Sequence, residues 1–136
     1  MAGAGFTFAV PRGKRYDDTT SVTPNLTLWR GLDPNRAWNA ANYNPHTLSN
    51  QVHFQALRTE ELSTAVSDRT ILAVLGLLWP GWKIAEFTVG EARTAGYIAM
   101  RDPTNWTDVV LYSRDDPDRP PSKTIVKTLA RVARII

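Results

Sequence analysis

Beyond Pro120 and Pro121 the order of apolar and polar positions becomes helical and remains so to the last residue. Ser122 stands as an N-cap, and at about 100° per residue Ile125, Val126, Leu129, Val132, Ala133 and Ile136 fall on one side. Lys123, Lys127, Arg131 and Arg134 fall within an arc of roughly 80° on the other, with no acidic residue in the segment. One side requires a core, and the other offers itself to anions.

Upstream, Asp33-Pro34, Asn44-Pro45 and Asp102-Pro103 repeat one spelling, a capping side chain directly before a proline whose missing N–H costs nothing at the first helical position. They predict helices from Pro34 to about Ala41, with Trp38 inward, and from Pro45 to about Leu57, with Leu48, Val52 and Ala56 on one face. A third helix starts at Thr59, with Glu60 and Glu61 in its first turn, and runs to Trp79 before Pro80-Gly81. Trp82 to Phe87 reads as a short strand or a helical linker. Thr88 and Glu91 then spell a capping box for a helix to about Met100, whose Ala92, Ala95, Gly96 and Ala99 permit close approach of a neighbour. From Pro103 to Tyr112 the cap favours helix and Val109 to Tyr112 favour strand; helix is adopted.

The first 32 residues differ. Phe6, Phe8 and Val10 alternate with small residues, a basic run follows, and a Thr-rich tract leads to Leu28 and Trp29. The predicted architecture is therefore all-α: an extended arm over 1–32, then a helical domain over 33–136 built as a bundle of short helices and closed by the basic amphipathic helix. The arm's Phe6, Phe8, Val10, Leu28 and Trp29 need burial, and a neighbouring subunit would supply it.

At 136 residues and 43% hydrophobic content the chain can form one core without metal or disulfide support. The absence of cysteine excludes a thiolate zinc site and a cysteine nucleophile. The net charge is only +3, but the cations gather at the two extremities of the chain. Arg12, Lys14, Arg15, Arg30, Arg36, Lys123, Lys127, Arg131 and Arg134 are the candidate phosphate contacts. Trp29 beside Arg30 and Trp38 near Arg36 also suit stacking of single-stranded bases, although core packing explains most of the five tryptophans as well. His46 and His53 lack an obvious third metal ligand, and Asp115, Asp116 and Asp118 lack the glycine and glutamate of a calcium loop. No catalytic centre, metal or cofactor is expected.

The arm from Gly3 to Leu32, with Arg12, Lys14 and Arg15, and the helical body from Pro34 to Ile136 resemble the small helical coat proteins of filamentous archaeal viruses. That resemblance implies a virion subunit that polymerises with its own copies, or with a related second coat subunit, around double-stranded DNA in preference to RNA. Membrane contact ranks lower, and outside the virion the host cytoplasm is the implied location. Other readings stay open: a tail or connector protein of a tailed phage, a helix-turn-helix DNA-binding protein, or an enzyme whose pocket unites His46 or His53 with a carboxylate.

Overall fold

The computed structural model describes residues 7–47 and 49–136, so the expectations for Phe6 and Leu48 lie outside the described residues. In chain order its elements are β1 (Thr27–Leu32), α1 (Ala37–Asn42), a 3-10 turn (Phe54–Leu57), β2 (Leu62–Val66), α2 (Leu72–Leu78), β3 (Lys83–Thr88), α3 (Val89–Ala95), β4 (Tyr97–Arg101), β5 (Asp108–Ser113), α4 (Lys123–Val132) and β6 (Arg134–Ile135). The strands form one antiparallel sheet in the order β4-β5-β2-β1-β3-β6. The fold is α+β, and the all-α expectation is corrected. Among the described residues no helix is long and apolar enough to cross a membrane.

Each error has a local cause. The helix expected from Pro34 to about Ala41 is present as α1, starting later, at Ala37, but each Asx-Pro pair itself makes a turn: Asp33 Oδ1 accepts from Asn35 N at 2.9 Å, Asn44 Oδ1 from His46 N at 2.8 Å and Asp102 Oδ1 from Thr104 N at 2.8 Å. The same side-chain chemistry that caps a helix also closes a turn, and only tertiary context decides between them. The expected helix from Thr59 to Trp79 divides into β2 and the shorter α2. Pro103 to Tyr112 resolves in favour of its β-branched run, which pairs with β2 from Leu62↔Leu111 to Ala65↔Asp108. The capping box at Thr88 and Glu91 is present, but α3 ends at Gly96, whose φ of 122° turns the chain into β4. A Cβ at Gly96 would stand 3.0 Å from Ile125 Cγ1, so the expected close approach of a neighbouring helix occurs there. Ser122 caps α4 as expected and Ile125, Val126 and Leu129 are buried, but the helix stops at Val132 because Arg134–Ile135 pair with β3.

One face of the sheet carries the main core, where Leu28, Leu62, Phe87, Tyr97 and Leu111 pack with Val89 and Ala92 of α3 and Val126 and Leu129 of α4. The other face has two separate covers. Leu75 of α2 packs on Trp29, Ala65 and Ile84, while Val10 packs on Ile98, Met100, Val110 and Tyr112. Most of α2 is left exposed, Leu77 at 83% and Leu78 at 65%.

The segment around Val10 is held by its own chain. Arg15 has no exposed side-chain surface, and its Nη1 donates to Glu60 Oε2 and to the Pro117 carbonyl, each at 2.7 Å. Its Nε donates to the Val10 carbonyl at 3.0 Å, and its guanidinium lies over the rings of Phe8 and Tyr112 at 4.8 and 4.5 Å. Glu61 accepts from the backbone N–H groups of Ala9 and Val10 and from the Tyr112 hydroxyl. Val10, Leu28 and Trp29 are thus buried within one chain, without a neighbouring subunit. The viral-coat and helical-filament assignment assumed an all-helical body, and the six-stranded sheet removes that basis.

Breaking a buried ion pair from one side leaves an uncompensated charge. Arg15→Ala is therefore expected to lower the unfolding free energy in urea by about 3–5 kcal/mol; a change near zero would show that Arg15 does not secure the segment. Hydrogen bonds from Arg12 first, and from Arg15, hold the Glu60 carboxyl below its ordinary value of 4.5, against the opposing effect of burial. Glu60 therefore stabilises the fold fully above that ordinary value, and its contribution is lost as pH falls through the lower folded-state value. Glu60→Gln should flatten this part of the acid-unfolding curve followed by circular dichroism.

Candidate functional site

β1 pairs with β3 along all six residues, but with β2 only at Leu28↔Val66 and Trp29↔Ala65. Beyond Trp29 the seam is held by a side chain, with Arg30 Nη1 donating to the Ser63 carbonyl at 3.0 Å. The parting strands open a cleft of about 510 Å³ whose lining includes Arg30, Arg36, Arg58, Ser63, Asp108, Trp38, Trp79 and Trp82.

Three kinds of chemistry meet in it. The first is cationic. Burial pulls the Arg30 guanidinium below its ordinary value, an effect opposed by the charge of Asp108. Arg36 and Arg58 are exposed at the same cleft, and neither forms an ion pair with a carboxylate among the described residues. The second is a carboxylate. Asp108 opens β5 and its Oδ2 accepts from Ser63 Oγ at 2.9 Å, while Oδ1 accepts from Thr107 Oγ1 at 3.2 Å. Burial raises its pKa, only partly offset by these hydrogen bonds.

The third is aromatic. Trp79 and Trp82 lie almost parallel, at 7°, with ring centroids 6.2 Å apart. Both press on the backbone of β1: a Cβ at Gly31 would stand 2.8 Å from Trp79 Cδ2 and 2.9 Å from Trp82 Cε3. Gly31 is therefore the residue that lets two indoles form a wall of the cleft.

The nine cations expected to contact phosphates do not share one environment. Arg30 and Arg36 meet in the cleft. Arg12 and Arg15 bind Glu60, and Arg134 lies 3.6 Å from Glu86 and 3.5 Å from Glu91. Lys14 and Lys123 are exposed. Lys127 sits over the Phe54 ring at 5.4 Å and, with Arg131 and His53, lines a separate hollow that contains no carboxylate. His46 is exposed, and neither histidine lines the cleft, so the sequence's test for an enzyme, a histidine beside a carboxylate, is not met there. Trp29 donates to Glu86 Oε2 at 2.9 Å and belongs to the core, whereas Trp38 does line the cleft near Arg36. Among the described residues no group of three or more His, Asp or Glu could hold a metal ion.

Sequence reasoning missed Arg58, Ser63, Asp108 and the pairing of Trp79 with Trp82. Asp108 was concealed by the helix expected over Pro103 to Tyr112; the Thr-Asp-Val-Val order, a polar pair at the head of a β-branched run, was its available signal. Gly31→Val should displace both indoles, seen as a change in tryptophan emission and near-ultraviolet dichroism with the far-ultraviolet spectrum retained; unchanged aromatic signals would refute the packing described. The chain matches no family model, no curated protein and no solved structure.

Proposed function

We propose that the cleft binds a dinucleotide carrying a pyridinium N-riboside and that the protein transfers or hydrolyses its ribosyl group. The observation that carries this reading is the cluster of Arg30, Ser63 and Asp108 at the parted seam between β1 and β2, flanked by indoles. Guanidinium groups recognise phosphate by paired, charge-assisted hydrogen bonds, so Arg30, Arg36 and Arg58 suit a pyrophosphate. Trp38, Trp79 and Trp82 provide flat apolar surface for bases.

The carboxylate defines the chemistry. Cleavage at the anomeric carbon of a riboside develops positive charge on the sugar, which a nearby anion stabilises. A neutral base leaving that carbon needs a proton from a general acid, and with Asp108 serving as the stabilising anion only Asp33 is left among the carboxyl groups of the cleft for that role. A pyridinium needs none. Its C–N bond breaks, the electron pair neutralises the departing ring, and an oxygen or nitrogen nucleophile forms the new bond to carbon and releases its proton to solvent or to Asp108. In the ionised state Asp108 also accepts the Ser63 hydroxyl, which fixes its orientation. This reading takes the place of the coat-subunit expectation.

Incubation of the protein with NAD+ should release nicotinamide, measured chromatographically, with or without an added acceptor protein. Asp108→Asn is expected to reduce the rate by about a hundred-fold or more. Since burial disfavours the charged form of Asp108, the same substitution should leave the melting temperature unchanged or raise it, separating chemistry from folding. The rate should decline as pH falls through a value above the ordinary aspartate range. Arg36→Ala and Arg58→Ala should each weaken dinucleotide binding by about ten-fold and reduce its salt dependence. NAD+ neither bound nor consumed at millimolar concentration would overturn the proposal.

A further inference from the structure

α2 is apolar on every side, yet the core uses little of it. Leu75 is buried against Trp29, Ala65 and Ile84, with Trp79 packed beside them, whereas Ile71, Leu72, Val74, Leu77 and Leu78 are exposed. Leu77 keeps 83% of its surface in water, so it protrudes and is not the floor of a groove. No residue from Ile71 to Trp82 is charged. Single exposed leucines are ordinary, but a contiguous run of them on one short element marks a surface that meets something apolar.

The border of this patch identifies what that is. Arg69 precedes α2 and Lys83 opens β3; both are exposed, and neither forms an ion pair with a carboxylate among the described residues. The stretch 69–85 contains no acidic residue. Asp68, just before it, is taken up by Arg101, and Glu86, just after it, accepts from Trp29 Nε1. Indoles stand at the same border. Trp79 and Trp82 follow the helix, and the exposed Trp106 lies under Arg69, whose guanidinium is 5.0 Å from the ring centroid. A shallow hollow lined by Arg69, Ile71, Val74 and Thr107 joins this corner to α2. Protruding aliphatic side chains, tryptophans beside them and unopposed cations at the edge match the layers of a bilayer surface, from acyl chains through the headgroup level to lipid phosphates. A second copy is matched less well: two α2 helices laid together, parallel or antiparallel, bring the cations of one copy against the cations of the other.

We propose that α2 anchors the protein to an anionic bilayer, with Leu77, Leu78 and their neighbours in the interface and Arg69 and Lys83 on lipid phosphates. Seven residues of helix extend about 10 Å against a hydrocarbon core of about 30 Å, so the element lies in the interface and does not span it. The proposal is independent of the dinucleotide reading, because neither leucine and neither cation lines the cleft.

The purified chain is co-sedimented with unilamellar vesicles of phosphatidylcholine alone and of phosphatidylcholine with about 30% phosphatidylserine. The wild type is expected to bind the anionic vesicles about ten-fold or more tightly at low salt, with a blue shift of tryptophan emission. Leu77→Gln with Leu78→Gln should weaken that binding by about ten-fold or more. Arg69→Gln with Lys83→Gln should bring it to within about two-fold of the binding to neutral vesicles. These side chains are exposed, so both double variants should keep the wild-type fold, which far-ultraviolet dichroism and thermal melting verify. Failure of the wild type to bind either vesicle, equal binding to both, or binding unaltered in either double variant overturns the proposal. Sedimentation velocity without lipid tests the rival occupant: a dimer that the leucine variant separates into monomers assigns the patch to a second copy and overturns the proposal as well.

Discussion

Only two residue pairs join the halves of the sheet, and the rest of the architecture follows from that short seam. Had β1 paired with β2 over its full length, the space now occupied by the cleft would be closed by a backbone ladder. Where the strands part, their polar groups still need partners, and Arg30 meets part of this need through the Ser63 carbonyl. A guanidinium is well suited to the position because it keeps its charge when desolvated and has donors left over after serving the backbone. The residue that maintains the seam is thus also the one that makes it attractive to anions.

The two covers on the outer face leave this gap open. Val10 and its neighbours lie over the β4-β5 side, fixed by Arg15, while Leu75 and the tryptophans lie over the β1-β3 side. Arg15 is a buried cation with three carboxylates, two carbonyls and two aromatic faces around it, so its desolvation is balanced by several partners in place of one. The sheet then behaves as two supported halves, with side chains from both brought to the line between them. Binding clefts between such halves combine rigid walls with access, a combination that loops alone provide less well.

Local grammar was legible in the sequence where it involved neighbours. The Thr88–Glu91 capping box, the Ser122 cap and the buried stripe of Ile125, Val126 and Leu129 need only residues within two turns of one another, and each is present. Sheet formation was not legible, because the alternation in Leu62–Val66 is short, sits beside strong helix formers, and has meaning only once β1 and β5 flank it. The Asx-Pro pairs at Asn44 and Asp102 misled for a related reason: one side-chain oxygen can cap a helix or close a turn, and the sequence does not say which. Of the cleft, Arg30, Arg36 and Trp38 had been selected for their charge or ring, yet nothing in linear order brings Arg30 to Ser63, 33 positions away, or Ser63 to Asp108, 45 positions away. Arg12 and Arg15 illustrate the converse: they were read as phosphate contacts, and the anions beside them are Glu60 and its neighbours in the same chain.

The contacts of Gly13 with Asp118 and of Arg15 with the Pro117 carbonyl span more than a hundred residues of chain. During synthesis the early segment can meet Glu60 and Glu61 first, but it cannot complete its contacts until the connection before α4 has left the ribosome. Such long-range closure slows formation of the native state. A nascent chain halted before that connection would carry the tryptophans and arginines of the cleft without the scaffold that unites them.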